Sequence, residues 1–233
     1  MTTENLSENG FRWFLGVVED RVDPKKLGRV RVRIHGFHGD KVRVPTTDLP
    51  WAPLIVMPTN ASYKKKGISP TGIAVGSTVI GFFMDGNECN MPMILGTFAG
   101  TGDVSQLAAG EMSINKTIVG NEPASPFKAQ YPYNKVYESE GGHVIEVDDT
   151  PNNERLHWYH KAGTYVEIDK DGQRVSKVVG DDYEVVVKNK NVYVAGNINV
   201  TVKGNVNIAV DGTYTIESKG NMTLKAPRID LNP

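Results

Sequence analysis

Closely spaced acidic residues and histidines are the first side chains in this sequence that could do chemistry. The acid pairs Asp148–Asp149 and Asp181–Asp182 could act as general acid and base, and His157 and His160 could share a metal ion. Each role requires the two side chains to converge on one point. Residues one or three apart on a β-strand point to opposite faces, so on strands none of these pairs converges. We interpret them as turn or solvated-face residues.

Other sequence motifs for catalysis or cofactor binding are absent. The sequence has no Gly-x-Ser-x-Gly motif, no phosphate-binding glycine loop and no Cys-x-x-Cys motif. Its one cysteine, Cys89, cannot form an intrachain disulfide. His35 and His38 lie near a glycine-containing turn, which favours a structural role for both. We predict no catalytic residue, no metal site and no cofactor.

The charge balance is nearly neutral, with 26 basic and 27 acidic residues and a net charge of −1. A protein whose main partner is nucleic acid usually has a clear basic excess, so the composition argues against that class. Residues 1–10 are polar and acidic and lack the apolar core of a secretory signal. No apolar run approaches the ~20 residues of a membrane span. We expect a protein made in a cytoplasm and soluble there.

Short alternating apolar and polar runs, broken by Gly, Pro, Asn and Asp, predict an all-β protein. Five such runs occur between residues 11 and 99, a number and length that suit a small closed barrel such as the OB-fold. These predicted strands are Trp13–Glu19, Gly28–His35, Trp51–Met57, Thr78–Met84 and Met93–Phe98.

Strict alternation in the second run places three arginines, Arg29, Arg31 and Arg33, on the face opposite to three apolar residues. They could form the solvated face of a half-buried strand, or a docking face for a carboxylate-bearing partner. Nucleic-acid binding is the least supported interpretation, because a single row of arginines without interleaved aromatic residues is weak evidence for a nucleic-acid-binding surface. Residues 100–140 are rich in Gly, Ser, Pro, Asn and Lys and predict a linker or extended arm.

An internal repeat of eight residues runs from Gly172 towards the C-terminus: GQRVSKVV, GDDYEVVV, KNKNVYVA, GNINVTVK, GNVNIAVD, GTYTIESK and GNMTLKAP. Glycine opens six of the seven octads, and Lys188 opens the third. These glycines are Gly172, Gly180, Gly196, Gly204, Gly212 and Gly220. We predict a turn at each of them, where glycine allows a positive φ or a close backbone approach.

Within each octad, the third, fifth and seventh places share one face of a strand and are mostly apolar. One such strand cannot close a coil on itself, whereas three chains wrapped as a triangular prism would bury the apolar face and pair every strand. We therefore predict a homotrimeric, triple-stranded β-helix. The predicted trimer core contains Val178, Val186, Val194, Val200, Val202, Val206, Ile208, Val210, Ile216 and Leu224.

Three stretches, Trp13–Arg21, Leu27–Arg33 and Ile94–Thr97, resemble the barrel of the central spike proteins of T-even-like contractile phage tails. Gly142–Pro151 and Tyr165–Asp169 are similar to the neck of that family's needle, and also to VgrG proteins of type VI secretion. The octads match the family's needle repeat.

The resemblance implies a domain order and a function. It implies a flexible N-terminus (1–10), a hub-docking OB domain (11–99), a linker (100–140), a needle neck (141–171) and a needle with its tip (172–233). In that family the barrel docks on a baseplate hub under the tail tube, and the needle punctures the host envelope. We expect a virion protein of the tail baseplate, made in the host cytoplasm, that contacts the envelope transiently during injection. Arg29, Arg31 and Arg33 are then candidates for hub docking.

The T-even member also carries a lysozyme domain between barrel and needle, and the roughly forty residues available here are too few for a muramidase fold. We therefore expect a structural protein without enzymatic activity. Because the chain begins at the barrel, with no fused hub domain, a separate spike protein fits better than a VgrG. The alternative is an OB-fold protein that binds oligosaccharide or single-stranded nucleic acid and uses the octads as a trimerisation stalk.

The C-terminal residues suggest how the needle ends. Some related needles hold an iron ion in a histidine-x-histidine apex, but no histidine follows His160 here. The resemblance instead implies a separate conical tip protein of the PAAR-repeat type. Its candidate contacts are Arg228, Ile229, Leu231 and Asn232.

Overall fold

The computed structural model describes residues 12–62, 64, 66–99 and 118–230. The chain divides into two compact units, Met1–Asp182 and Tyr183–Pro233. In the described ranges the regular structure is β-strand with two short 3-10 turns, Thr46–Asp48 and Gly86–Glu88. These ranges contain no helix long and apolar enough to cross a membrane. The prediction of an all-β protein is confirmed.

The first sheet contains strands β1 (Arg12–Asp20), β2 (Val30–Ile34), β3 (Trp51–Ala52), β4 (Thr78–Phe83) and β5 (Pro92–Thr97). The strands are antiparallel in the order β3-β2-β1-β4-β5. A parallel bridge between Leu54 and Ile94 joins the two edges and closes the barrel. This order and closure are those of an OB barrel.

The third strand is shorter than the predicted Trp51–Met57, because the ladder to β2 stops at Ala52 and Pro53 has no N–H to donate. After Ala52 the chain forms backbone hydrogen bonds with β5 instead. The Ile94 amide donates to the Pro53 carbonyl, and the Ile55 amide donates to the Ile94 carbonyl.

The barrel core is formed by the inward residues of the alternating strands. Its fully buried side chains include Val18, Val32, Ile34, Val79 and Phe83. Gly81 allows β4 and β5 to approach closely, since a Cβ there would lie 2.3 Å from the carbonyl oxygen of Met93. The two strands could not pack at this spacing with a larger residue.

The second sheet, here called the neck sheet, is an antiparallel meander of β6 (Asn134–Glu138), β7 (Val144–Asp148), β8 (Arg155–Tyr159), β9 (Tyr165–Ile168) and β10 (Arg174–Lys177). It is wider than the predicted neck of residues 141–171. Its first strand lies inside the predicted linker, and its last strand lies inside the first octad.

The octad region bends with the period of the repeat. The chain bends at residues 179–180, 187–188, 195–196, 203–204, 211–212 and 219–220. Between these bends the described residues 178–230 have no regular secondary structure and form no strand pairs within the chain. Gly172 has a φ of +80°, whereas the other five octad glycines lie outside the left-handed region. Positive φ is therefore not the reason for glycine at those five positions.

Candidate functional site

The row of Arg29, Arg31 and Arg33, which begins one residue before β2, contacts other residues of the barrel. Arg29 Nη2 lies 2.6 Å from Asp23 Oδ1, and Arg33 Nε lies 2.8 Å from Glu19 Oε1. The Arg33 hydrogen bond, with help from the Thr46 hydroxyl, lowers the pKa of Glu19 to about 2. The Arg29 hydrogen bond, together with backbone amides, holds the pKa of Asp23 well below its usual range.

The middle arginine of the row is also engaged. The Arg31 guanidinium lies 4.6 Å above the Trp51 ring and donates to the Thr46 carbonyl at 3.1 Å. The side chains of Arg29, Arg31 and Arg33 are between 14% and 19% exposed. The row is a set of half-buried internal contacts, and its role in hub docking stays a prediction.

Next to the arginine row, the outer side of β1 and β5 has an uncharged, partly exposed surface. Trp13 and Leu15 of β1 and Leu95 of β5 are 55%, 46% and 45% exposed. Trp13 makes an edge-to-face contact with Phe82 of β4, with ring centroids 5.6 Å apart. We call this surface the outer barrel face. The sequence signal for it is Trp13-Phe14-Leu15, where both faces of the strand are apolar.

A network of charged side chains is buried on one face of the neck sheet. Arg155 donates to Glu146 at 2.5 Å and to Glu167 at 2.7 Å, and its Nη1 lies 3.0 Å from His157 Nδ1. Asn134 donates to the second oxygen of Glu146 at 2.8 Å. The side chains of Arg155, Glu146, Glu167 and His157 are at most 4% exposed.

The segment before β6 covers this network. Glu122 accepts hydrogen bonds from the Tyr165 hydroxyl at 2.5 Å and from Lys177 at 2.9 Å. Ser125 donates to Glu167 at 2.7 Å, and Phe127 lies 4.9 Å from the Arg155 guanidinium. Residues 118–133 of the predicted linker are thus bound to the sheet. Burial, followed by the Glu122 hydrogen bond, raises the pKa of Tyr165.

These contacts limit what the network can do chemically. Glu146 and Glu167 share one guanidinium and are closed off from solvent, so neither can meet a substrate. Buried charges persist when they are paired in this way. We interpret the network as structural.

One acid pair and the histidine pair each combine a buried and an exposed side chain, as their spacing predicts, whereas Asp181 and Asp182 are both exposed. Asp148 is buried and Asp149 is exposed, and His157 is buried whereas His160 is exposed. In the described ranges, no group of three or more His, Cys, Asp or Glu side chains is placed to hold a metal ion.

The other face of the neck sheet is largely apolar, and no segment among the described residues covers it. We call it the open face. Its apolar residues are Tyr137, Ile145, Val147, Leu156, Trp158, Val166 and Ile168, and the pairing places Lys135, Arg174 and Ser176 beside them at its edges. Trp158 and Tyr137 are each 65% exposed, and Ile145 is 50% exposed. The sheet therefore buries its charged face and exposes its apolar face, the reverse of a half-solvated sheet.

The candidate tip residues are described only in part. Arg228 pairs with Asp230 at 2.8 Å, and Ile229 is 49% exposed. Leu231 and Asn232 lie outside the described residues.

Comparisons with known proteins identify the barrel. The family model of the Gp5 N-terminal OB domain matches residues 34–111. Protein Gp5 of Vibrio phage KVP40 is 34% identical over 262 residues, which cover 81% of this chain and 62% of the relative. The resemblance to T4-like central spike proteins is confirmed. The pre-baseplate central spike protein Gp5 of Enterobacteria phage T4 is 46% identical over 101 residues, 41% of this chain and 17% of that protein. The chain thus spans less than two thirds of either relative.

Proposed function

We propose that the chain is a structural central spike of a phage tail baseplate, which acts as a homotrimer without catalysis. The barrel docks on the hub under the tail tube, and the octads of three chains intertwine into a β-helical needle. The needle punctures the host envelope when the tail contracts. The protein is made in the host cytoplasm, resides in the virion tail and contacts the envelope transiently.

The observation that carries this proposal is the exposed apolar pattern of the octads. The seventh-place valines Val178, Val186, Val194, Val202 and Val210 are between 40% and 48% exposed. The third and fifth places are more exposed still, with Ile198, Val200, Val206 and Ile208 between 64% and 77%. The bends recur every eight residues, and among the described residues from 180 to 230 no octad pairs with another strand of the chain.

Partner chains would account both for the unpaired segments and for the exposed apolar side chains of the octads. Intertwined copies would pair the segments between the bends and bury the apolar places, leaving no long strand edge. They also supply a reason for the octad glycines. A Cβ on any of the six meets no atom within 4 Å in the single chain, so a close approach must come from another chain.

Hub docking is proposed through the outer barrel face rather than the arginine row. Its exposed Trp13 and leucines are of the type that dominates the energetic centre of interfaces. Trp13→Ser should weaken capture of the baseplate hub protein, whereas Val42→Ser should not, because Val42 is a 92% exposed residue elsewhere in the barrel. Equal capture by both variants would contradict this surface.

A separate PAAR-type tip protein is proposed to bind the C-terminal end around Ile229. The exposed apolar side chain at the end of the octads supports this. Removing the last six residues should abolish tip capture and leave the trimer intact. The alternative of nucleic-acid or oligosaccharide binding by the barrel is not proposed, since its cationic row is engaged internally.

Mass and shape test the main proposal. Light scattering of the purified protein should give about three times 25.6 kDa, and negative-stain images should show a thin rod. The trimer should also resist SDS. A monomeric mass with a folded β-sheet spectrum would overturn the needle.

A further inference from the structure

Three polar atoms on the buried face of the neck sheet have no hydrogen-bond partner among the described residues. They are Asn134 Oδ1, Asp148 Oδ2 and Arg155 Nε. The residues that carry them are each at most 4% exposed. Burying a polar atom without a hydrogen bond is costly, so native proteins satisfy almost all such atoms with protein groups or with ordered water. These three atoms therefore need a partner.

The register of the sheet places the three residues in one row. Asp148 of β7 is directly opposite Asn134 of β6 on one side and Arg155 of β8 on the other. Side chains opposite each other in an antiparallel pair have Cβ atoms only about 4.5–5.5 Å apart. Asp148 Oδ2 nevertheless accepts a hydrogen bond from neither neighbour. The row thus holds close side chains that do not meet directly.

The contacts of Glu146 bring the unpartnered atoms towards one point. Its two oxygens accept hydrogen bonds from Asn134 Nδ2 at 2.8 Å and from Arg155 Nη2 at 2.5 Å. Asn134 and Arg155 therefore lean over β7 from both sides, and their remaining atoms Oδ1 and Nε lie beside that carboxylate. Asp148 follows two residues later on the same face of the strand. The three atoms border one space above β7.

The chemistry of these atoms selects the ligand. The oxygens of Asn134 and Asp148 accept hydrogen bonds, whereas Arg155 Nε donates one. A cation could not accept from Arg155, and an anion would face two oxygens. A water molecule donates twice and accepts from a third group, which matches the three hydrogen bonds typical of buried water. We propose that one buried water molecule occupies this space, bound by Asn134, Asp148 and Arg155.

The proposed water connects the charged network with residues 118–133, which cover it. Asp148 Oδ1 accepts a hydrogen bond from the Thr150 amide at 3.0 Å, and the Thr150 hydroxyl oxygen accepts one from the Gln130 amide at 2.9 Å. Hydrogen bonds then run without interruption from Arg155 through the water and Asp148 to Gln130. His157 Nε2, which is also unpartnered, belongs to the next row and is not part of this site.

A high-resolution crystal structure of the full-length protein tests the proposal, whatever its oligomeric state. We expect one solvent peak at about 2.5–3.2 Å from Asn134 Oδ1, Asp148 Oδ2 and Arg155 Nε. A peak with oxygen distances of about 2.0–2.5 Å would identify a metal ion and overturn the assignment of water. Direct contact between the Asn134 and Asp148 oxygens, with no peak between them, would overturn the site itself.

A pair of variants tests which atoms hold the water. Asn134→Met removes one acceptor and fills the space with an apolar side chain, so the peak should be lost. Lys135→Met is the matched control at the next position of β6, where the side chain is 68% exposed, and it should keep the peak. A peak retained in Asn134→Met, or lost in Lys135→Met, would contradict the assigned partners. If Asn134→Met does not fold, the wild-type structure alone decides.

Discussion

Replacing Arg155 with methionine should destabilise the neck sheet more than any single exposed substitution. The guanidinium, whose side chain is 1% exposed, contacts Glu146 and Glu167, whose side chains are 0% and 4% exposed. Arg155→Met removes the guanidinium group that both buried carboxylates contact. Breaking a buried ion pair from one side costs about 3–5 kcal/mol. For a chain of this size each kcal/mol shifts Tm by about 2–4 °C, so the expected loss is roughly 6–20 °C.

The assay is thermal unfolding followed by circular dichroism at one fixed protomer concentration, because assembly and stability are coupled. Lys170→Met is the matched control, since its ion pair with Asp171 is exposed to solvent and should contribute little to stability. Adding Glu146→Gln and Glu167→Gln to Arg155→Met should restore most of the loss, because both side chains are then uncharged. A deficit no larger than that of Lys170→Met would refute the buried network as the source of stability.

Three further outcomes are expected. Val202→Asp should prevent the formation of SDS-resistant trimers, because it would bury three carboxylates together. Asn199→Asp should assemble normally. Equal damage from both variants would mean that the inward and outward faces of the octads are wrongly assigned. The Arg33 contact lowers the pKa of Glu19 from 4.5 to about 2, so its stabilisation is present above pH 4.5 and lost towards pH 2. The Tm gap between wild type and Glu19→Gln should close over that window, and a constant gap would contradict it. Gly81→Ala should cost about 1–3 kcal/mol in chemical denaturation, and a neutral effect would disprove the tight strand approach.

The barrel could be predicted from sequence because its signals are local. Alternation in β2 separates the buried Val32 and Ile34 from Arg33, and the structure has that arrangement. The partners of the arginines could not be predicted in the same way. Glu19 lies on another strand, and only the register of β1 against β2 brings the two charges together.

The neck sheet shows a further limit of pattern reasoning. Alternation in β7 and β8 defines two faces but not which face is covered, and Glu146 and His157 have the composition of a solvated face. Burial of that face depends on Arg155 reaching two other strands and on a cover segment distant in sequence. Strand β6 was missed because it follows a proline-rich stretch and pairs only through β7.

Because the bends are eight residues apart, the length of the C-terminal unit can be counted in octads. Deleting residues 196–203 would join Ala195 to Gly204 and return every later residue to its former place in the repeat. An odd-numbered deletion exchanges the two faces of all that follows, and an even deletion other than a multiple of eight moves the bends off the octad boundaries. Insertions and deletions that preserve the repeat therefore comprise whole octads. We expect the octad regions of related chains to differ in length by multiples of eight residues.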